Sequence, residues 1–223
     1  MSPTASTGAQ SAADPGELER FRKIQQLTNH WAHPAGPPSY YWYLTFENTP
    51  GLHAIARKCQ EAIAFPYYDL TPLDDLHLTL DRIAFTADIT PRQVKAIEDA
   101  ATRNCQRIPP LGITIGLLGG TPGAIGFTAT PSQPIRRLRD ALRAATLAVR
   151  PGIPVSETGF HPHVTIAYSN SDDIPATEVV TAVEKVRTAN RAEVTIREAS
   201  IVVLERGPRS YAWRAISRIP LAG

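Results

Sequence analysis

The feature that most constrains the fold of this chain is a triplet that occurs twice, once in each half of the sequence. The first triplet is His77-Leu78-Thr79 and the second is His163-Val164-Thr165, and the two histidines are 86 residues apart. The segments around each triplet follow the same order of predicted elements. A repeat of this length indicates an internal duplication, in which each half forms the same supersecondary unit.

Each half reads as strand, helix, strand, helix, strand, with the triplet on the second strand. Aromatic and β-branched runs predict the strands, and Thr-Pro or Pro at a segment start predicts several of the helices. The predicted strands are 40–46, 76–85, 111–118, 124–130, 161–168, 193–204 and 211–219, and the predicted helices are 50–64, 91–105, 132–150 and 175–189. A Gly/Pro cluster at 119–123 is expected to be the turn between the halves.

These elements predict an α+β fold, a bilobal duplicated βαβαβ arrangement. We expect lobes at about 40–120 and 124–219 that together form one domain, 40–219. Antiparallel sheets are expected to line a central cleft, with the helices packed outside, because each sheet must bury one apolar face.

The N-terminal region differs from the repeat. Residues 1–16 are rich in Ser, Thr, Ala, Gly and Pro, which is typical of a disordered tail and unlike a secretory signal peptide. Residues 17–39 are expected to form a helical extension (the helix running to about residue 27), with His30 and Trp31 holding it on the first lobe. Because no apolar run is long enough to span a bilayer, we expect a soluble, cytoplasmic protein without membrane contact, and a monomer.

Composition narrows the possible partners. The formal net charge is only +2, which does not favour broad nonspecific nucleic-acid binding, so affinity for phosphate must come from a local site. Cys59 and Cys105 lack the spacing of a disulfide framework or a zinc site and are expected to be buried, inert thiols. The four arginines of the 132–150 helix (Arg136, Arg137, Arg139, Arg143) are expected to form a solvated face, with contact to an RNA backbone as the alternative.

Alternation along a strand places the histidine and the threonine of each triplet together. Successive side chains of a strand point to opposite faces, so His77 and Thr79 share one face while leucines occupy the other. Val164 and Ile166 mark the buried face of the second strand in the same way. If a pseudo-twofold relates the lobes, both His/Thr pairs converge on one cleft.

Two imidazoles and two hydroxyls in one cleft suit phosphodiester chemistry. Imidazole titrates near neutral pH, so one histidine can act as general base and the other as general acid. The hydroxyls of Thr79 and Thr165 can bind the non-bridging phosphate oxygens. No carboxylate cluster with metal-ligand spacing accompanies the triplets, so we predict neither a metal nor a cofactor.

The segments LHLTL at 76–80 and FHPHVTIAY at 160–168, their separation and the duplicated lobes resemble the two-histidine (2H) phosphoesterase superfamily. Within it, the chain is similar to 2′-5′ RNA ligase/RNA 2′,3′-cyclic phosphodiesterase-like proteins. The resemblance covers about Tyr40 to Ile219. It implies a bilobal LigT-like fold with the four triplet residues in the cleft, and action on 2′,3′-cyclic phosphates or 2′-5′ linkages of RNA or small nucleotides.

Substrate and activity stay open at this point. We expect hydrolysis of a 2′,3′-cyclic phosphate to a 2′-phosphate, with 2′-5′ ligation as the reverse reaction implied by the resemblance. One alternative is a cyclic phosphodiesterase for a small nucleotide metabolite such as an ADP-ribose cyclic phosphate. Another is a module that binds RNA ends or nucleotides without turnover. Which histidine is the base is not decided by a near-symmetric pair.

Five further side chains are candidates for substrate binding. Relatives that process RNA often carry an arginine after the second triplet, whereas this chain has Tyr168 there and Arg82 at the matching place after the first triplet. Strict alternation turns both away from the histidines, so they reach the cleft only if the strand bulges. Tyr41, Tyr43 and Phe127 are expected on the cleft floor, where they could stack a base or simply pack; a shift of 86 residues carries Tyr41 onto Phe127.

Overall fold

The computed structural model describes residues 15–153, 159–188 and 191–222. The helices are α1 (Pro15–Arg22), α2 (Pro50–Ala62), α3 (Pro91–Cys105), α4 (Ser132–Val149) and α5 (Thr177–Val186). The strands are β1 (Ser39–Thr45), β2 (Tyr68–Leu70), β3 (His77–Phe85), β4 (Leu111–Thr121), β5 (Ala124–Thr130), β6 (His163–Ser169), β7 (Arg191–Ile196), β8 (Glu198–Arg206) and β9 (Tyr211–Pro220). Short 3-10 turns at Leu73–Asp75 and Thr86–Asp88 flank β3.

The order of the elements agrees with the sequence-based prediction, and several boundaries differ. Helix α1 ends at Arg22, short of the expected end near residue 27. The expected strand 193–204 is two strands, β7 and β8, which separate at Arg197, and the short strand β2 was not predicted. The expected disordered tail lies outside the described residues except for its last two, which begin α1.

Local sequence explains where α3 begins. The Thr90 hydroxyl accepts a hydrogen bond from the backbone N–H of Gln93 (3.3 Å), and the Gln93 side chain accepts one from the Thr90 backbone (3.0 Å). This reciprocal capping box satisfies donors that the first helical turn leaves without partners. Pro91 at the first helical position adds a preset backbone angle.

Two antiparallel sheets form the body of the protein. The β1 sheet has the strand order β3-β1-β8-β9, and the β5 sheet has the order β2-β6-β5-β4-β7. Every strand pairing that the structure describes is antiparallel. The predicted fold class is therefore confirmed: two curled antiparallel sheets with the motif strands β3 and β6 in different sheets.

The expected lobe boundaries are wrong, because the two halves exchange strands. Strand β4 belongs to the first half of the sequence but pairs with β5 and β7. Strand β8 belongs to the second half but pairs with β1. The chain crosses from one sheet to the other at Arg197, where β7 ends and β8 begins. Each lobe is thus built from strands of both sequence halves, and neither lobe is one contiguous segment of the chain.

The Gly/Pro cluster at 119–123 is likewise not a turn between lobes. Strand β4 continues to Thr121, which pairs with Ala124 in β5. Pro122 and Gly123 form the tip of a hairpin within the β5 sheet. A two-residue connection is the shortest common hairpin loop, so the segment joins neighbours rather than separating domains.

The helices also pack across the sequence halves. Helix α4 covers the β1 sheet, where Trp42 Nε1 donates to Thr146 Oγ1 at 3.0 Å. Helix α2 covers the β5 sheet, where the Gln60 amide donates to the carbonyl of Thr71 (2.7 Å) and to that of Ile166 (3.0 Å). Helices α3 and α5 complete the two outer layers. The sheet faces opposite these helices remain for the cleft.

The core follows the alternation of the motif strands. Leu76, Leu78 and Leu80 are at most 2% exposed, and Val164 and Ile166 are fully buried. Cys59 and Cys105 are buried free thiols, as predicted. Among the described helices, none is long and apolar enough to cross a membrane.

The N-terminal extension lies on the β5 sheet rather than on the first half of the sequence. Backbone N–H groups of Leu27, Thr28 and His30 donate to the carbonyls of Ile174, Pro122 and Ser169. Arg206, at the end of β8, then binds the carbonyls of His33 (2.8 Å) and Pro34 (2.9 Å). The extension therefore connects the two sheets at one end of the cleft.

Candidate active site

The two triplets present matching side chains from equivalent strands. In both strands the central residue, Leu78 or Val164, is fully buried, whereas the histidine and the threonine keep part of their surface exposed. Strand pairing is equivalent too: Thr45 faces His77 across β1 and β3, and Thr128 faces His163 across β5 and β6. The side-chain alternation read from the sequence is thus the alternation of the folded strands.

Each histidine is oriented by the backbone two residues before it. His77 Nδ1 donates to the carbonyl of Asp75 at 2.7 Å, and His163 Nδ1 donates to the carbonyl of His161 at 2.8 Å. Because a carbonyl only accepts, Nδ1 carries the proton in both rings. Each ring therefore leaves Nε2 for a proton exchanged with a ligand.

His77 is enclosed by two aromatic residues. The Tyr43 ring stacks on it at 4.1 Å with an interplanar angle of 5°, and the Trp213 ring meets it edge-on at 6.1 Å. Trp213 Nε1 also donates to the Asp75 carbonyl (3.2 Å) that orients His77. Burial lowers the pKa of His77 to about 4, with a further lowering from the charge of His163. His77 is therefore neutral at neutral pH.

His163 lies in a more open setting. It is exposed and lines a cleft of about 980 Å³ together with Thr165, Thr79 and Tyr41. In the strand register, Gly126 faces Thr165 where Tyr43 faces Thr79 in the other sheet. A Cβ at Gly126 would come within 2.6 Å of the Val164 carbonyl oxygen, so this position excludes the ring that covers the first histidine. The two motif histidines thus occupy equivalent backbone positions, but the side chains around them enclose His77 and leave His163 open.

Each motif threonine interacts with a tyrosine. Thr79 interacts with the phenol of Tyr43, and Thr165 interacts with that of Tyr168. Burial raises the pKa of both tyrosines above the ordinary value, so both stay protonated. The two tyrosines reach their threonines from different places, since Tyr43 lies on the neighbouring strand and Tyr168 on the motif strand itself.

Strand bulges decide where Arg82 and Tyr168 point. The β1–β3 register shifts between Trp42 and Tyr43, and the β5–β6 register shifts between Ile125 and Gly126. Each shift reverses the alternation beyond the threonine. Arg82 consequently lines the cleft and interacts with the Tyr41 hydroxyl, and Tyr168 interacts with Thr165.

The aromatic floor expected from the sequence is only half present. Tyr41 lines the cleft, and its ring centroid lies 5.9 Å from that of Tyr43. Tyr43 itself is 1% exposed, stacks on His77 and is not among the residues that line the cleft. Phe127 borders the cleft but is 1% exposed and pairs with the buried Val164, so its ring belongs to the core. The assumed match of Tyr41 with Phe127 is wrong, because the strand register makes Leu44 the equivalent of Phe127.

In the part of the chain described here, no group of three or more His, Cys, Asp or Glu side chains is arranged so that it could hold a metal ion. The site's polar groups are instead imidazoles, hydroxyls and guanidinium groups. Such groups can donate hydrogen bonds to an anion.

Comparison with known protein families identifies the superfamily of this chain. A model of the 2′-5′ RNA ligase superfamily matches residues 49–208, which is more than half of the chain. The chain belongs to this superfamily, that of the 2H phosphoesterases. The matched range contains both triplets, while the extension, Tyr43 and Trp213 lie outside it. No curated protein sequence matches the chain.

Solved structures agree with the fold of a 2H phosphoesterase. TT0787 of Thermus thermophilus superposes with a TM-score of 0.65 at 18% identity, covering 83% of this chain and 98% of that protein. LigT of E. coli in complex with NADP+ gives a TM-score of 0.58 at 18% identity, covering 84% and 100%. The MHV ns2 PDE domain gives 0.51 at 12% identity, covering 76% and 99%. At these identities the likeness establishes the fold alone.

Sequence reasoning missed a cluster of side chains at the end of the cleft. His30 bonds to the Tyr211 hydroxyl at 2.8 Å and stacks on Tyr168 at 4.3 Å, and Trp31 packs against Tyr168 and Tyr211. Burial and the charge of Arg206 lower the pKa of His30. Tyr211 and Trp213 alternate on β9, which indicated a shared face, but only the sheet topology brings that face to the triplets.

Proposed function

We propose that this 2H phosphoesterase opens a 2′,3′-cyclic phosphate on an RNA end or a nucleotide to give a 2′-phosphate. The observation that carries the proposal is the pairing of two neighbouring imidazoles that each hold a carbonyl through Nδ1 and so keep Nε2 for a ligand. Of the four triplet residues, His163, Thr165 and Thr79 line the cleft. One imidazole then takes a proton from water and the other gives a proton to the leaving oxygen. The threonine hydroxyls bind the phosphate oxygens.

On the asymmetry of the pair we propose His77 as the base and His163 as the acid. His77 is neutral and its Nε2 accepts a proton from the attacking water. A bound anionic phosphate raises the pKa of the enclosed imidazole, which strengthens it as a base. His163 faces the open side of the cleft, where it protonates the departing O3′. After the 2′-phosphate leaves, His77 releases its proton to solvent and His163 takes one up.

Ligands of a structural relative support a nucleotide or phosphate substrate. LigT of E. coli has been crystallised with 3′-AMP, with ATP, with NADP+ and with phosphate. We extend that chemistry to this chain as part of the proposal, together with action as a cytoplasmic monomer. The proposal also includes formation of a 2′-5′ bond by the reverse reaction.

Substitution of the histidines tests the mechanism. His77→Gln and His163→Gln are each expected to lower kcat/KM for adenosine 2′,3′-cyclic phosphate by about 100-fold or more, the usual contribution of a general acid or base. His33→Gln is the matched control, because His33 is exposed and does not line the cleft. A folded motif variant that keeps turnover within about tenfold of wild type would contradict the assigned roles.

A small nucleotide metabolite is the second candidate substrate. The extension connects the sheets at one end of the cleft, and Tyr168 stands where RNA-processing relatives often carry an arginine, both of which favour a compact ligand. Turnover in the presence of EDTA should be compared for adenosine 2′,3′-cyclic phosphate, ADP-ribose cyclic phosphate and an oligonucleotide ending in a cyclic phosphate. Turnover of the oligonucleotide alone supports RNA-end processing. Tight binding without turnover of any of the three would show a binding module instead.

A further inference from the structure

The wall of the cleft beyond the motif threonines is basic. Among the described residues that line it, the arginines are Arg20, Arg82 and Arg139, and the carboxylate is Asp81. Asp81 already accepts a hydrogen bond from Arg143 at 2.6 Å. This wall therefore carries an excess of positive charge in a chain whose overall charge is only +2.

Arg20 is positioned by the N-terminal extension. Its neighbour Phe21 is 2% exposed and anchors α1 in the core, and Arg22 Nε donates to Glu184 at 2.5 Å. These two contacts fix the direction of the helix. Arg20 is exposed and lines the cleft together with Ile24, which lies just beyond the end of α1.

Arg82 and Arg139 line the same cleft, Arg82 from β3 and Arg139 from α4. Arg82 is three residues beyond Thr79, or about 10 Å along the strand, and its guanidinium lies 4.6 Å from the Phe85 ring centroid. Arg139 Nε donates to the Leu80 carbonyl at 2.8 Å, and its guanidinium lies 4.6 Å from the Phe160 ring centroid. Contact with an aromatic ring restrains the position of a guanidinium group without using its N–H donors.

The geometry points to a second phosphate subsite in this wall, with Arg20 and Arg82 binding a phosphate on the 5′ side of the nucleoside whose cyclic phosphate lies between the triplets. The inference rests on the proposed function and narrows its substrate class. Guanidinium groups recognise phosphate oxygens through paired hydrogen bonds. Arg20 lies on the extension, outside the range that matches the superfamily model, so this subsite is a feature of this chain's own architecture.

Two kinds of molecule carry such a second phosphate. One is a nucleotide with a 5′-phosphate or diphosphate, and the other is an RNA end, in which the preceding phosphodiester occupies the same place. Comparing adenosine 2′,3′-cyclic phosphate with its 5′-phosphorylated form and with the dinucleotide ApA 2′,3′-cyclic phosphate separates the two sources. Preference for the 5′-phosphorylated mononucleotide indicates the small ligand, and preference for the dinucleotide alone indicates RNA.

The kinetic test compares ratios within each variant. We expect wild type to favour a substrate with a second phosphate, and Arg20→Gln and Arg82→Gln each to reduce that ratio of kcat/KM values about tenfold, as loss of one charge-assisted hydrogen bond does. Arg137→Gln is the matched control, because Arg137 is on α4 and exposed but does not line the cleft. A ratio that the Arg20 and Arg82 variants leave unchanged overturns the subsite.

A binding test separates failure of the subsite from failure of the proposed function. Calorimetry with 2′-AMP, adenosine 2′,5′-bisphosphate and the 2′-phosphorylated dinucleotide requires no turnover. Tighter binding of either two-phosphate ligand by wild type, weakened by Arg20→Gln and by Arg82→Gln, supports the subsite even if no cyclic phosphate is hydrolysed. Equal affinity of wild type for all three ligands overturns it even if hydrolysis is fast.

Discussion

At the scale of single residues, the site is a symmetric pair made unequal by its neighbours. Both motif histidines bond through Nδ1 to a carbonyl two residues earlier. Tyr43 covers one ring, while the equivalent place beside the other is Gly126. Tyr43 and Trp213 thus enclose His77 while His163 stays open, and this difference is the basis on which we propose different roles for the two identical groups.

Enclosure of His77 predicts a pH dependence of stability. The ordinary pKa is 6.5 and the folded pKa is about 4, so between these values the unfolded chain binds a proton that the folded chain does not. Stability is therefore lost as the pH falls from 6.5 to 4, by at most about 3 kcal/mol from this group. Urea unfolding of wild type and His77→Gln at both ends of this range measures the difference. His33→Gln should follow wild type, whereas parallel curves for wild type and His77→Gln would show that His77 is not enclosed.

At the scale of elements, the N-terminal extension is part of the site's support. Its backbone bonds to the β5 sheet, and its carbonyls at His33 and Pro34 accept hydrogen bonds from Arg206 at the end of β8. Trp31 links the extension to β2 of the β5 sheet, because its Nε1 donates to Asp69 at 2.9 Å. Because Tyr168 packs on Trp31 and interacts with Thr165, the extension reaches the hydroxyl that we propose binds phosphate through a single side chain.

Removing the Trp31 ring should therefore affect both stability and substrate binding. Trp31→Ala is expected to lower the unfolding free energy by about 3 kcal/mol, as for other buried aromatic residues. It should also raise KM, because Tyr168 no longer holds Thr165. Trp31→Phe keeps most of the packing and loses only the bond to Asp69, a loss of about 1 kcal/mol. Thermal unfolding and steady-state kinetics measure the two effects; an unchanged KM in the folded alanine variant would separate the extension from the site.

At the scale of the whole molecule, exchange of strands joins the two lobes into one folding unit. The β1 sheet needs β8 and β9 from the end of the chain, and the β5 sheet needs β4 from its first half. Helix α2 covers a sheet in which three of the five strands come from the other half, and α4 covers a sheet in which two of the four do. Neither half can bury its apolar faces alone.

This exchange predicts cooperative unfolding. Urea unfolding followed by far-UV circular dichroism and by tryptophan fluorescence should give coincident single transitions. Fragments 40–122 and 123–220, expressed separately, should show no cooperative transition, because each lacks a strand that its sheets require. Two resolved transitions in the intact chain, or a folded isolated half, would mean that the lobes are independent.

The sequence by itself determined the motif residues, their strands and the chemistry they suit. This was possible because alternation of side chains is a local property: apolar residues at 76, 78 and 80 leave no other face for His77 and Thr79. The same local rules predicted the start of α3 at Pro91 and the order of the elements. They also indicated that Arg82 and Tyr168 reach the cleft only through a bulge, without deciding whether one forms.

Only the tertiary structure decided which strands pair. That pairing in turn decided which other side chains lie near the two triplets. Register shifts turned Arg82 into the cleft and Tyr168 toward Thr165, and pairing with Val164 placed Phe127 in the core. Trp213 lies far from His77 in sequence and contacts it only because β9 joins the sheet of β1 and β3. Strand pairing depends on contacts between distant segments, which local patterns do not record. For that reason the repeat revealed the duplicated motifs correctly and the boundaries of the lobes incorrectly.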